Sequence, residues 1–195
     1  MSLIEKAAVF ATDLLQKEPT SGYPYHNLNH TLSVVKHVQE IGEHAYVDDK
    51  DLTILTLSAW FHDIGYTRDY NHHEEKGVEI AREFLGSINH KILDHVESCI
   101  LATRMPQNPG SFIEKILCDA DMYHLSEDTL IENSDKLRQE INMVTGKQLS
   151  LQDYLHKTLN LLYSHEYFTE YARKHLNSRK LKNIEKIKRY LSRNT

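Results

Sequence analysis

Hydrophobic side chains recur every three or four residues along almost the whole chain, whereas the strict alternation that is typical of strands is nearly absent. A clear example is the group Val34, Val38 and Ile41, whose spacings of four and three residues place all three on one face of a helix. We therefore predict an all-α protein.

Capping residues, glycines and prolines indicate where the helices begin and end. A Ser2-x-x-Glu5 pattern is a capping box that opens a first helix, and Pro19 and Gly22 close it. Further helices are predicted at residues 51–64, where Gly65 is the C-terminal stop, and at residues 71–86, 89–103, 111–117, 127–145, 151–167, 169–176 and 179–192.

The length and the even composition of the chain predict one domain. Its 195 residues are enough for one sizeable core, and no repeat, low-complexity tract or Gly/Ser/Pro linker interrupts them. We predict a single compact helical bundle over residues 1–195. Its chemistry-bearing core spans about 23–125, and C-terminal helices at about 126–193 build the wall around it.

Composition and charge exclude several classes of partner. The formal net charge of −5 gives no general attraction to nucleic acid or to an anionic membrane, and no stretch approaches 18 apolar residues. Cys99 and Cys118 lie in apolar helical runs, which fits packed thiols in a reducing compartment. The first residues lack the pattern of a signal peptide, so we expect a cytoplasmic protein that binds neither membrane nor nucleic acid.

Three short segments carry side chains suited to metal binding: YHNLNH at residues 25–30, WFHDIGY at 60–66 and CDAD at 118–121. Their imidazoles and carboxylates suit a divalent cation of intermediate hardness that keeps positions open for water and substrate. His30 points the way the core residues of its helix point. His62 and Asp63 are about 100° apart on a helix, so both reach one ion only where several helices meet.

The order H…HD…D, which ends in an Ala-Asp pair, resembles the HD superfamily of metal-dependent phosphohydrolases. The resemblance covers the stretch from Tyr25 to about Leu125, roughly half the chain. The YHNxxH segment, followed by Val34, also resembles the first metal motif of the cyclic-nucleotide phosphodiesterases, a branch of that superfamily. The chain is too short for their catalytic domain, so the specificity for cyclic nucleotides is not implied, and the chain looks more like the small bacterial-type HD phosphohydrolases.

The resemblance implies that one divalent ion (Mn, Mg, Co, Ni, Fe or Zn) is bound by His30, His62, Asp63 and Asp121. Asp119 is the alternative to Asp121, or a partner that orients an imidazole. Relatives that bind two ions tightly place a histidine in the helix before the last aspartate, where this chain has Thr103. We therefore expect one tight ion and at most a weaker second ion near His73, Glu74 and Asp63.

The predicted catalytic residues are His26, Glu74 and Asp63. His26 lies four residues before His30, so it can stand beside the metal without binding it, and imidazole suits proton transfer near pH 7. The resemblance implies the same role, donation of a proton to the leaving group. Glu74 or Glu75 is a candidate base or partner of the attacking water. Candidate ligands of the substrate phosphate are Lys76, Arg68 and Arg104.

These features predict a metal-dependent phosphohydrolase that cleaves a phosphomonoester or phosphodiester of a nucleotide-like small molecule. The alternative is an HD-fold module that binds metal and nucleotide without hydrolysis. A di-iron oxygenase of the same fold needs two further histidines, and only His72 or His73 is well placed for that. A homo-oligomer is compatible with the sequence.

Basic residues are frequent toward the C-terminus, and two explanations remain open for them. They form either a solvated helical face or a surface that attracts a phosphate or a partner, and the solvated face is the expected one. The residues are Arg173, Lys174, Arg179, Lys180, Lys182, Lys186, Lys188, Arg189 and Arg193.

Overall fold

The structure, a computed structural model, describes residues 1–17, 19–86 and 90–193, except the side chains of residues 90 and 91. Within these residues every regular element is helical, which confirms the all-α prediction. The helices are α1 (Leu3–Leu15), α2 (Leu28–His44), α3 (Asp49–Phe61), α4 (His73–Leu85), α5 (His90–Ala102), α6 (Phe112–Asp121), α7 (Leu130–Thr145), α8 (Leu151–Ser164), α9 (Glu170–His175) and α10 (Asn177–Arg193), with 3-10 turns at Thr20–Gly22, Ile64–Thr67 and Met122–Ser126.

The capping patterns in the sequence mark real helix starts. At α1 the Ser2 hydroxyl accepts a hydrogen bond from the backbone N–H of Glu5, and the Glu5 carboxylate accepts one from the N–H of Ser2. At α8 the Ser150 hydroxyl accepts from the N–H of Asp153. Each side chain satisfies a donor that has no partner inside its helix.

Three predicted C-terminal helix ends are wrong by three or four residues, and two of them lie beside the candidate metal ligands. Helix α8 ends at Ser164, not at residue 167, and His165 already has extended backbone angles. Helix α3 ends at Phe61, not at residue 64, and a 3-10 turn takes over at Ile64. Helix α6 runs on to Asp121 instead of ending at 117, because its buried apolar stripe continues through Leu117 and Ala120. The predicted start of α5 at Asn89 lies outside the described residues.

The chain divides into two compact units, residues 1–121 and residues 122–195. The prediction of one domain over the whole chain stays a prediction. In the first unit α3 is central: it contacts α1, α2, α5 and α6, and every residue from 54 to 61 is buried. Such an all-round apolar surface has no amphipathic face, which is what a helix enclosed by other helices requires.

The second unit has its own hydrophobic core, formed where α10 packs on α8 and on the turn before α7. This core consists of Met122, Leu125, Leu130, Leu155, Leu159, Leu162, Ile184, Ile187 and Leu191. The basic residues from Arg173 to Arg193 are exposed, as expected for a solvated face, with one exception. Lys180 is only 5% exposed, so the prediction of a solvated face is wrong for this residue.

The two cysteines are buried, free thiols. Burial raises the pKa of the Cys99 thiol to about 12 and also raises that of Cys118, so both stay protonated and unreactive near neutral pH. Of the helices described, none combines the length and the apolar character that crossing a membrane requires.

Candidate metal centre

The first histidine of the site is fixed by the start of α2. Asn27 is the N-cap residue: its side-chain oxygen accepts from the N–H of Asn29 at 2.9 Å, and its side-chain amide donates to the carbonyl of Tyr23 at 2.8 Å. The cap thus joins the preceding loop to the helix. His30 follows in the first turn of α2, and His26 immediately precedes the cap.

The second histidine stands at the end of α3, and its orientation is fixed by the backbone. His62 is fully buried, and its Nδ1 lies 2.8 Å from the carbonyl oxygen of Ala59. Because a carbonyl only accepts hydrogen bonds, Nδ1 carries a proton, and Nε2 is the atom presented to the site. A backbone partner of this kind is what sets the tautomer of a metal-binding histidine.

The turn after His62 lies unusually close to α4. A Cβ atom on Gly65 would lie 1.8 Å from the carbonyl oxygen of His73 and 2.6 Å from the backbone nitrogen of Gly77. A Cβ on Gly77 would in turn lie 2.9 Å from the carbonyl oxygen of Phe61. Gly65 is therefore not the residue that ends α3, although the sequence had suggested that it was. It lets the backbone that carries Asp63 approach the start of α4, which carries His73 and Glu74.

Three of the four predicted ligands, His30, His62 and Asp121, converge in the first unit, and Asp63 lies against both imidazoles. Nε2 of His30 lies 3.2 Å from Oδ2 of Asp63 and 3.3 Å from Oδ1 of Asp121. Nε2 of His62 lies 3.3 Å from Oδ2 of Asp63, 3.4 Å from Nε2 of His30 and 3.9 Å from Oδ1 of Asp121. Donor atoms of His30, His62 and Asp121 all lie within 4.8 Å of one another and could hold a metal ion.

Asp63 completes this cluster. Its Oδ2 is buried and accepts no well-directed hydrogen bond, although it lies within 3.3 Å of both imidazole nitrogens. Ligand atoms that surround one ion at about 2.0–2.2 Å lie roughly 3–3.6 Å apart. The distances from Nε2 of His30 to its three neighbours fall in that range, and His30, His62 and Asp121 have the spacing of a coordination shell. Asp63 lies against both imidazoles but outside this set of three mutually close donors.

The charges of the cluster compensate one another. Burial lowers the pKa of His30, but the Asp121 and Asp63 carboxylates outweigh it and raise that pKa to about 10. The same opposition raises the pKa of His62. Burial raises the pKa of Asp63, but His62 and His30 outweigh it and hold that pKa well below its usual range. Protonated imidazoles therefore balance two ionised carboxylates wherever no other cation does so.

Asp121 has a second partner that the sequence did not reveal. The side-chain amide of Gln107 donates to Oδ2 of Asp121 at 3.2 Å, while Oδ1 faces the histidines. Gln107 lies in the loop between α5 and α6, where the helical period that marks the other site residues is absent. Asp119, the alternative ligand, is fully buried on the same helix.

Three aromatic rings form a stack beside the cluster. The His26 and Tyr66 rings are stacked with centroids 4.3 Å apart, and the Tyr66 and His73 rings are stacked at 3.9 Å. Tyr66 is buried, so it fixes the planes of both histidines. No role was predicted for Tyr66 beyond its place in the WFHDIGY segment, because stacking between distant histidines has no signal in sequence.

The side chains at the start of α4 differ sharply in exposure. Glu74 is only 6% exposed, with Oε1 at 3.5 Å from Nε2 of His73, which itself lies 3.8 Å from Oδ1 of Asp63. Arg104 pairs with Glu75, and its Nε lies 4.0 Å from Oε2 of Glu74. Glu74 is thus withdrawn from solvent although it lies in the first turn of α4.

The other two candidate phosphate ligands are engaged with α4. Arg68 forms a two-pronged ion pair with Glu83, at 2.9 and 2.6 Å, and Lys76 pairs with Glu79 at 2.8 Å. Of the three cations proposed from sequence, Arg104 is the one brought beside Glu74.

Thr103 lies just beyond α5 and is buried, and its hydroxyl donates to the carbonyl of Ile100 at 2.7 Å. This agrees with a packing role. His95 is exposed on the same helix.

Comparisons with known proteins identify the family and the fold. A family model described as the HD domain matches residues 27–126. A predicted HD superfamily hydrolase from an uncultured Thermotogales bacterium has 20% identity and a TM-score of 0.65, over 98% of this chain and 92% of that one. Bacillus subtilis YpgQ, solved in complex with ADP, has the same identity and TM-score, over 96% and 94%. At this identity the likeness concerns the fold. No curated protein matches the sequence.

Proposed function

The chain belongs to the HD-domain family, and from that premise we propose that it is a phosphohydrolase in which His30, His62, Asp63 and Asp121 hold one divalent metal ion. The observation that carries the proposal is the convergence of these four side chains from α2, the end of α3 and α6.

The donor set fits such an ion. The two histidines, when neutral, and the two carboxylates leave a charge of −2 in a buried space, which a divalent cation neutralises. The His62 tautomer is already the one that metal binding requires, and Asp63 Oδ2 has no directed hydrogen bond to lose. When bound, the ion supplies positive charge that activates water and stabilises the phosphoryl oxygens.

We assign the proton donor for the leaving group to His26. Its ring centre lies 5.8 Å from that of His30, and stacking on Tyr66 holds its plane. Burial raises the pKa of Asp63, and His62 and His30 lower it most; His26 lowers it further by a smaller electrostatic effect, so the two side chains are close enough to interact. An imidazole held in this position can donate a proton to an alkoxide as the phosphate ester bond breaks.

Glu74 is our candidate for the group that accepts a proton from the attacking water. It is buried beside His73, and the Arg104 guanidinium next to it is half exposed and can contact a substrate phosphate. His73, Glu74 and Oδ1 of Asp63 also form the weaker second cation position. We propose that this position fills only at high metal concentration.

The proposed substrate is a phosphate ester of a nucleotide-like small molecule. Binding of ADP by YpgQ, which shares the fold, is compatible with this substrate class.

The decisive experiment combines metal analysis with a substrate screen. Purified protein is assayed against nucleoside monophosphates, triphosphates and cyclic nucleotides with manganese, magnesium, cobalt or nickel. His62→Ala and Asp63→Ala should lose both the metal, measured by mass spectrometry, and hydrolysis, whereas the exposed control His95→Ala should lose neither.

Wild-type metal content in both site variants would refute the ligand set. Normal metal content in the wild type without hydrolysis of any ester would instead favour the module that binds without cleaving.

A further inference from the structure

The second unit contains a cavity of about 660 Å³ between the end of α8, α9 and the first half of α10. This volume is in the range of small-molecule binding sites. The aromatic and basic side chains that line the cavity are Tyr163, His165, Tyr167, Arg173, Lys180 and Lys188. All belong to a short part of the chain, and none is a candidate metal ligand.

Lys180 is the unusual residue of this cavity. It is 5% exposed, its Nζ donates to the carbonyl of His165 at 2.5 Å, and it lies 5.3 Å from the centre of the Tyr167 ring. Among the described residues its partners are this carbonyl, the His165 ring and the Tyr167 ring, while the Glu166 carboxylate acts on it only from beyond ion-pair distance. Burial lowers the pKa of Lys180. A buried ammonium that lacks a paired carboxylate is costly, so an anionic partner is the expected compensation.

Arg173 is held toward the same cavity. Its Nε donates to the carbonyl of Tyr167 at 2.7 Å, which leaves the two terminal nitrogens of the guanidinium for another acceptor. The carbonyls that hold Lys180 and Arg173 belong to residues 165 and 167. The segment after α8 therefore holds both cations through its backbone carbonyls.

The remaining charges of the cavity do not cancel this pair. Lys188 is paired with Glu185 at 3.0 Å, so these two offset one another. Lys188 also lies 5.6 Å from the centre of the exposed Tyr163 ring. Arg173 and Lys180 then face the single carboxylate of Glu166. The cavity thus combines an excess of positive charge with an aromatic ring at its edge.

We propose that this cavity binds the phosphate group of a small phosphorylated molecule, with Lys180 and Arg173 as the phosphate ligands. The guanidinium offers two parallel donors and the ammonium a point charge, which is the combination that phosphate oxygens accept. The Tyr163 ring is available to a planar group on the same molecule. This site does not depend on hydrolysis in the first unit.

The test uses the full chain treated with EDTA, so that no divalent ion holds a phosphate at the metal cluster. Inorganic pyrophosphate and ADP are titrated by calorimetry and by amide NMR. Wild-type protein should bind both, with NMR shifts concentrated in residues 163–188. Lys180→Met and Arg173→Gln should each weaken binding roughly tenfold to 100-fold, the usual effect of losing a hydrogen bond to a charged group.

The matched controls are Lys182→Met and Lys174→Gln, which remove exposed charges from the same helices outside the cavity. Both should retain wild-type affinity. Equal weakening in the controls, shifts spread over the exposed lysines, or no binding by the wild type at millimolar ligand would overturn the proposal. If Lys180→Met does not fold, Arg173→Gln decides the outcome, because Arg173 is exposed; unchanged affinity in that variant refutes the site.

Discussion

The metal cluster of the first unit and the phosphate cavity of the second unit bury charge in opposite ways. In the cluster, Nε2 of each imidazole lies 3.2–3.9 Å from an oxygen of each of the two carboxylates, so each charge has a partner of opposite sign. In the cavity, Lys180 is buried against a carbonyl and a ring, and no carboxylate among the described residues pairs with it. The cluster can keep its form through its own ion pairs, whereas the cavity needs a ligand to complete its charge.

The two sites also differ in how the chain builds them. The cluster joins residues 30, 62–63 and 121, which only the packing of three helices brings together. The cavity is formed within residues 162–188, by the end of α8, the segment after it, α9 and the first half of α10. The cluster should therefore be sensitive to changes in helix packing, and the cavity mainly to changes in its own side chains.

In the metal cluster, we expect the largest change in hydrolysis rate from His26→Ala, because this variant removes the proposed proton donor and leaves the metal ligands in place. We expect a rate loss of about 10²–10⁴, the usual contribution of a positioned acid, with metal content unchanged. The loss should be small with p-nitrophenyl phosphate, whose leaving group needs little protonation. The control His44→Ala, at the exposed far end of α2, should be fully active. An equally large loss on the activated ester would argue against the acid role.

The sensitivity to packing is tested by two glycines, one in each unit. Gly65→Ala places a Cβ against the His73 carbonyl, so we expect a loss of about 3 kcal/mol in the free energy of unfolding and weaker metal binding. Gly146 has φ +69° and no atom within 4 Å of an added Cβ, so Gly146→Ala should lose only about 1 kcal/mol, from backbone strain. Urea denaturation measures both. Equal losses would mean that the close contact of Gly65 with α4 is unimportant.

Removal of the metal tests whether the first unit alone depends on it. At a free metal concentration 100 times the dissociation constant, the ion should stabilise the protein by about 2.7 kcal/mol, which EDTA should abolish. Metal binding, compared with the EDTA-treated protein, should slow amide hydrogen exchange most in α2 and α6, which supply ligands, and least in α10. Equal protection of α10 would contradict the division between the two sites.

The smallest expected effect is a change of stability and metal affinity with pH. The pKa of His30 is raised from its ordinary value near 6.5 to about 10, so its contribution to the stability of the metal-free protein is complete below pH 6.5 and is lost as the pH rises toward 10. Metal must displace that proton, so its affinity should increase over the same range, by at most about tenfold per pH unit for one proton. Calorimetry in buffers of different ionisation enthalpy should detect proton release. A pH-independent metal affinity between pH 7 and 9 would refute this linkage.

The helical class and the identity of the convergent residues were both accessible from sequence. A period of 3.6 residues reports directly which face of a helix is buried, and capping residues such as Ser2 and Ser150 act on their own helix. His30, His62, Asp63 and Asp121 could be selected because few side chains bind a divalent ion and their order resembles that of a known family. Their assignment as metal ligands stays a prediction until metal content is measured.

Only the tertiary structure decided four features: where α3 ends, the role of Gly65, the burial of Lys180 and the hydrogen-bond partner of Asp121. Each depends on atoms that are distant in the chain: the His73 carbonyl limits what residue 65 can be, and Gln107 reaches Asp121 from a loop without periodicity. Local patterns determine which residues a helix offers to its surroundings, because they act through neighbouring backbone atoms. The packing of several helices determines what each offered residue meets, because close contact and burial are properties of the assembled chain.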